Sequence, residues 1–202
     1  MTDTTIDVVD DLAAISPGGS IDALRRRRPV TRDQLQASFD ALFAPVDDRE
    51  FPLDERELVA AFATRLTAAD ETAAWFARRA ERADADRAAI VLAEASVAAT
   101  SGPYGVYREA GLAAESVEGL RYAPTDEIYD AVGDRLAAAL AHAHLLTYRP
   151  READDVALGR LLAAGWSVEG IVTLSQLVSF LAFQQRVAAG LRALAETEED
   201  AA

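Results

Sequence analysis

Cysteine is absent from this 202-residue chain. That single absence removes disulfides, thiolate nucleophiles, iron–sulfur clusters and thiolate zinc sites. Lysine is absent too: all 20 basic residues are arginines, set against 34 acidic ones for a net charge of −14. An alanine-rich, lysine-free, acidic composition is what a GC-rich coding bias or a salt-adapted host gives. A surface of that sign argues against nucleic acid, because phosphate binding rests on clustered positive charge. The one basic run, Arg25 to Arg28, is short, sits among acids and reads as a solvated helix end. No stretch of about 18 apolar residues runs without a charge or polar break, so no membrane span is expected. The start, MTDTTIDVVDDLAAISPGG, lacks the basic flank and apolar run of a signal peptide. A cytoplasmic protein is expected.

Half of the residues are apolar, enough for one sizeable core. Their spacing is helical nearly everywhere, and no alternating β-branched run bounded by hairpin turns occurs. The fold class is therefore all-α. Residues 1–50 read as an N-terminal helical arm packing on the core. Within it, Ser20 is a plausible cap, Pro29 ends one piece, and Leu35, Phe39 and Leu42 stripe the helix from Thr31. The arm is too short to bury a core of its own.

Residues 51–197 read as the main helical domain. Asp54 and Glu57 have the spacing of a reciprocal cap, ahead of a stripe of Leu58, Phe62, Leu66 and Ala69. A helix over about 70–82 and a compact alanine-rich one from about Asp86 follow, ending at the loop TSGPYG. From Asp126, Ile128, Val132, Leu136, Leu140 and Ala143 predict one long helix that stops before Pro150. The next helix ends at Gly165, which suits a left-handed cap, and Ser167 starts the last one. That last helix is apolar almost all round from Ile171 to Phe183, which predicts burial rather than presentation to a DNA groove.

The stretch AAGWSVEGIVTLSQLVSFLAFQQRVAAGLRAL, with ALAHAHLLTYRP, the SGPYG loop and the arm SPGGSIDALRRRRPVTRDQLQASFDALF, resembles the carboxymuconolactone decarboxylase and alkylhydroperoxidase D-like superfamily. It is most similar to the peroxidase-related branch of "CMD domain" proteins, and the likeness covers most of the chain. The resemblance implies an alkylhydroperoxidase D-like helical bundle that assembles as a homo-oligomer, a dimer, trimer or hexamer. Thiol-peroxidase members carry a glutamate in a helix of the form EL-I-A, a C-x-x-C twelve residues on, and a histidine four after the second cysteine. Laid on Glu57-Leu58-Val59-Ala60, that pattern puts the cysteine positions at Ala69 and Thr72 and the histidine position at Phe76. Peroxide reduction of that kind needs a thiolate to attack and a second thiol to resolve the sulfenic acid. The resemblance thus implies a vacated peroxidase site in which only Glu57 survives.

Glu57 is a candidate general base, although at about 100° per residue it lies roughly 150° from the centre of the stripe and suits a first-turn cap. His142 and His144, the only histidines, point about 200° apart on a helix and so do not form a same-face metal pair. His142 is the better acid–base candidate of the two. Trp75 and Tyr104, with Tyr107, Tyr122 and Phe76, are candidate cavity-lining residues, against ordinary packing. Gln176, Gln184 and Gln185 on a largely apolar helix need partners if buried, and a subunit interface is favoured. No cofactor or metal is expected: no phosphate-cradling glycine pattern occurs, and both histidines have plainer explanations. Two functions follow. One is a cysteine-free enzyme or small-molecule binder using Glu57 and His142 on a lactone-like, carboxylate or peroxide-derived substrate. The other is a catalytically silent scaffold or partner subunit of a cysteine-bearing relative.

Overall fold

The computed structural model describes residues 7–200, and among them it is all-α: ten α-helices, two short 3-10 turns and no strand. The chain divides into two units, residues 46–182 and a smaller one formed by residues 1–45 with 183–202. No single helix among the described residues is long and apolar enough to cross a membrane.

The smaller unit contains α1 (Val8–Leu12), α2 (Ser20–Arg26) and α3 (Pro29–Phe43). Asp7 caps α1 by accepting from the amides of Val9 and Asp10, and Gly19 rather than Ser20 precedes α2. Val8, Val9, Leu12, Leu35, Phe39 and Phe43 are buried. Arg25, expected at a solvated helix end, is instead buried. Its guanidinium bonds Asp7 and Asp10, and Arg32 bonds the same two carboxylates. Burial alone raises the Asp7 pKa, but the hydrogen bonds from Arg25 and Arg32 outweigh it and the net shift is downward.

The larger unit is organised around α4 (Leu53–Thr67), which packs against α5 (Glu71–Ala83), α6 (Ala85–Ala98) and α8 (Asp134–Tyr148). Because α4 has neighbours on several sides, it is buried from Arg56 through Thr64 rather than along one stripe. Its acids follow the same geometry. Asp54 pairs with Arg87 of α6, Glu55 with Arg135 of α8, and Glu57 with Arg79 of α5. The cap expected from Asp54 and Glu57 does not form: α4 begins at Leu53 behind Pro52, with no side-chain cap. Ala69, placed on the buried stripe by its spacing, lies exposed in the α4–α5 link. Asp70 and Asp84 cap α5 and α6.

The long helix expected from Asp126 is two helices, α7 (Asp126–Val132) and α8, parted at Gly133. Gly133 sits at φ 84°, ψ 155°, a region that L side chains rarely enter, so the apolar spacing continues across a break in the backbone. Asp154 caps α9 (Asp155–Ala163), and Gly165 at φ 85° turns the chain into α10 (Val168–Asp200). Trp166 in that turn is buried and donates through Nε1 to the carbonyl of Arg135 at 2.9 Å. The expectation that the last helix is buried from Ile171 to Phe183 needs correcting, since Val172 and Phe183 are exposed. Of its glutamines, Gln176 is exposed, whereas Gln184 is fully buried with neither amide atom hydrogen-bonded among the described residues.

Candidate functional site

The residues singled out by sequence fall in two places within the larger unit. Around α4 and α5, Glu57 is buried, and both of its oxygens accept from Arg79: Nε lies 2.8 and 3.1 Å away, and Nη2 closes the second bond. Arg79 in turn lies over the Trp75 ring, 4.9 Å from its centroid, and Trp75 meets Phe76 edge-on at 4.8 Å. Phe76 and Thr72 are both completely buried. The positions matched to the two cysteines and the histidine are therefore an exposed alanine, a buried threonine and a buried ring. Glu57 borders a shallow cleft of about 420 Å³ with Arg79 and Arg82. Two parallel bonds from a guanidinium fix the carboxylate in place and neutralise its charge locally.

The second place is a cavity of about 600 Å³ bordered by α8, α9, Tyr129 of α7 and the segment 121–123. Asp134, Ala138, Ala141, His142 and Leu145 put one face of α8 on its wall, at helical spacings. Ala157, Ala163 and Ala164 line it along with Ala138 and Ala141, and side chains that end at Cβ leave this space unfilled. Volume of this size falls in the range that small-molecule sites occupy. His142 lies on this wall and Glu57 does not, so the two residues border different cavities. Trp75 and Tyr104 are not on it either. Tyr104 hydrogen-bonds Thr100 at 2.9 Å, and its ring packs against Gly119.

His142 is buried, and its Nε2 lies 3.1 Å from Ser175 Oγ. The single hydroxyl proton of Ser175 goes to the Ile171 carbonyl at 2.9 Å, so Ser175 accepts and His142 Nε2 carries the proton. This assigns the tautomer and leaves Nδ1 as a bare lone pair, buried and without a partner. Burial lowers the His142 pKa to about 4, so the ring is neutral at physiological pH.

His144 behaves in a related way. Burial lowers its pKa, partly offset by a hydrogen bond to the Ala98 carbonyl, and Nε2 has no partner. Although the two histidines point apart on α8, both are among the residues that line the same cavity. Tyr122, also on the wall, lies 5.4 Å from the His144 ring and donates to Glu94 at 2.9 Å. Burial, reinforced by Glu94, holds the phenol well above its ordinary pKa. No group of three or more metal-ligating side chains occurs among the described residues.

Arginines complete the wall. Arg149 is buried and grips Glu152 through Nε and Nη2, both at 2.7 Å, while Nη1 donates to the Gly119 carbonyl at 3.0 Å. Arg121 bonds the same carboxylate. Hydrogen bonding from Arg149 is the main reason that the Glu152 pKa falls to about 2. Sequence reasoning missed Arg121, Arg149 and Arg160 because one arginine at a time carries no site signal in a chain with 20 of them. The available hint was the run of alanines around His142 on a helix otherwise able to pack closely. Comparison with known protein families, with curated proteins and with solved structures finds no match.

Proposed function

We propose that this chain is a thiol-free relative of the carboxymuconolactone decarboxylase and alkylhydroperoxidase D-like proteins that binds a small molecule in the α8–α9 cavity. In this reading His142, rather than Glu57, is the group that exchanges hydrogen bonds or protons with the ligand. The observation that carries it is the His142 ring itself: neutral, hydrogen-bonded to Ser175, among the residues that line a 600 Å³ cavity, and with its other nitrogen, Nδ1, buried and without a partner. A buried acceptor left without a donor costs about 1–3 kcal/mol, a cost that a ligand donor removes on binding. A base with a pKa near 4 is weak in the free protein, but a bound acid that shares its proton with Nδ1 needs no strong base to do so.

A fragment screen read by the side-chain nitrogen signals of His142 tests this. Fragments that move those signals should lose binding when Ala141→Phe fills the cavity, while the variant keeps the helical circular dichroism of the parent. If no fragment moves His142, or those that do bind Ala141→Phe unchanged, the cavity is not the site.

The scaffold reading has one specific observation in its favour. Phe76 and Thr72 fill the vacated positions completely, and Arg79 occupies Glu57. It requires a partner chain, and co-purification of a cysteine-bearing relative together with a silent fragment screen would establish it.

A further inference from the structure

The cavity adjoins a second, outer cleft of about 440 Å³, and Arg121, Leu145, Glu152, Ala157 and Arg160 line both. Along α8, Asp134, Ala138, Ala141 and Leu145 stand at successive turns on the cavity wall. At the helical rise, the row from Asp134 to Leu145 spans about 16 Å. Of these four residues only Leu145, at the C-terminal end, also lines the outer cleft, so the two depressions meet there. Ala138, Ala141 and Leu145 are half-buried, whereas Ala137, Ala139, Leu140 and Ala143 between them are fully buried. The row is thus the apolar face of α8 that its neighbours leave uncovered.

Positive charge is concentrated at the meeting point. Arg121 and Arg160 stand on both depressions, Arg108 and Arg151 line the outer one, and the carboxylates beside them are Glu152 and Asp154. Four guanidiniums against two carboxylates leave an excess of two positive charges, in a chain whose net charge is −14. The pairing that exists is incomplete. Glu152 is shared with the buried Arg149, and Arg108 comes only within 3.8 Å of Asp154. Arg151 lies over the Tyr107 ring at 4.1 Å, and neither it nor the exposed Arg160 makes an ion pair among the described residues. Asp134, at the far end of the row, is beyond the screening length of about 8–10 Å.

We infer that the cavity takes a small amphiphilic phosphate monoester, its phosphate held among Arg121, Arg151 and Arg160 and its apolar body lying along Ala138, Ala141 and Leu145. The inference rests on the cavity's being the ligand site and adds the chemical class of the ligand. A phosphate monoester carries about −1.5 to −2 near pH 7, which matches the excess, and a carboxylate cancels only half of it. Guanidinium forks bind phosphate oxygens through paired, charge-assisted bonds. The apolar body takes the uncovered face of α8 out of water.

Titration calorimetry in phosphate-free buffer with phenyl phosphate, methyl phosphate and benzoate separates the parts. Phenyl phosphate should bind at least tenfold tighter than either of the others. Arg160→Glu should weaken it tenfold or more. Arg82→Glu, the same charge change at an exposed position on the α4–α5 cleft, should leave it unchanged. Ala141→Phe should weaken phenyl phosphate and leave methyl phosphate as it was. Equal effects of the two arginine changes overturn the inference, because net charge alone then accounts for binding. Equal binding of benzoate overturns the doubly charged head, and equal binding of methyl phosphate, or indifference to Ala141→Phe, overturns the placement of the body. If none of the three binds at millimolar concentration while neutral fragments still move the His142 signals, this inference falls alone. If those fragments are silent as well, the cavity reading falls with it.

Discussion

Glu57 and Arg79 meet across α4 and α5 as a bidentate pair, with the carboxylate buried and the guanidinium over the Trp75 ring. The glutamate that spacing marked as a cap or a base is thus an internal strut. Removing one partner of a buried pair strands the other charge, and this costs about 3–5 kcal/mol. Arg79→Ala is expected to lose stability in that range by urea unfolding. Replacing both residues by leucine should cost far less than Arg79→Ala, because no charge is stranded. Equal losses for the single and double variants would show that packing, not charge, dominates there.

Acid sensitivity should report the histidines before the carboxylates. The folded-state pKa of His142, about 4, lies below the ordinary value of 6.5, so between those values the unfolded chain binds more protons. Stability from this source is full above about pH 6.5 and drains as the pH falls toward 4, by on the order of 3 kcal/mol. His144, also lowered by burial, acts in the same direction. Glu152, with a pKa near 2, loses its contribution only below its ordinary value of 4.5. Denaturation midpoints measured from pH 7 to pH 4.5 should therefore slope downward toward acid, and His142→Gln should flatten the slope.

Two glycines should respond oppositely to alanine. At Gly133 nothing stands within 4 Å of a built Cβ, so the penalty of Gly133→Ala is conformational, from φ 84° and ψ 155°, and amounts to about 1–3 kcal/mol. Gly159 lies inside α9 with open space around it, and Gly159→Ala should stabilise by up to about 1 kcal/mol. Thermal midpoints of the two variants check both signs. Because Gly133 sets where α8 begins, only the first change should also alter fragment binding in the cavity.

Apolar spacing made the helical class legible in the sequence, and the helix expected over about 70–82 is α5, which Asp70 caps. Spacing did not reveal the Gly133 break, since the apolar positions stay in phase across it. Nor did it reveal that α4 is surrounded, because a helix with neighbours on several sides buries its charged residues by pairing them, as Arg56 to Thr64 and the Glu57–Arg79 pair illustrate. Of the candidate residues, His142 borders the large cavity, while Glu57, Phe76 and Trp75 cluster around the α4–α5 contact. The arginines of the cavity come from segments far apart in sequence, 121, 149 and 160, and only folding brings them to one wall.

The side-chain nitrogen spectrum of His142 as a function of pH decides whether the ring is a neutral acceptor held by Ser175. A single tautomer protonated on Nε2 is expected from pH 8 down to about pH 5, with Nδ1 at the shift of a bare lone pair and protonation only near pH 4. Titration near the ordinary value of 6.5, or a proton on Nδ1, would contradict it.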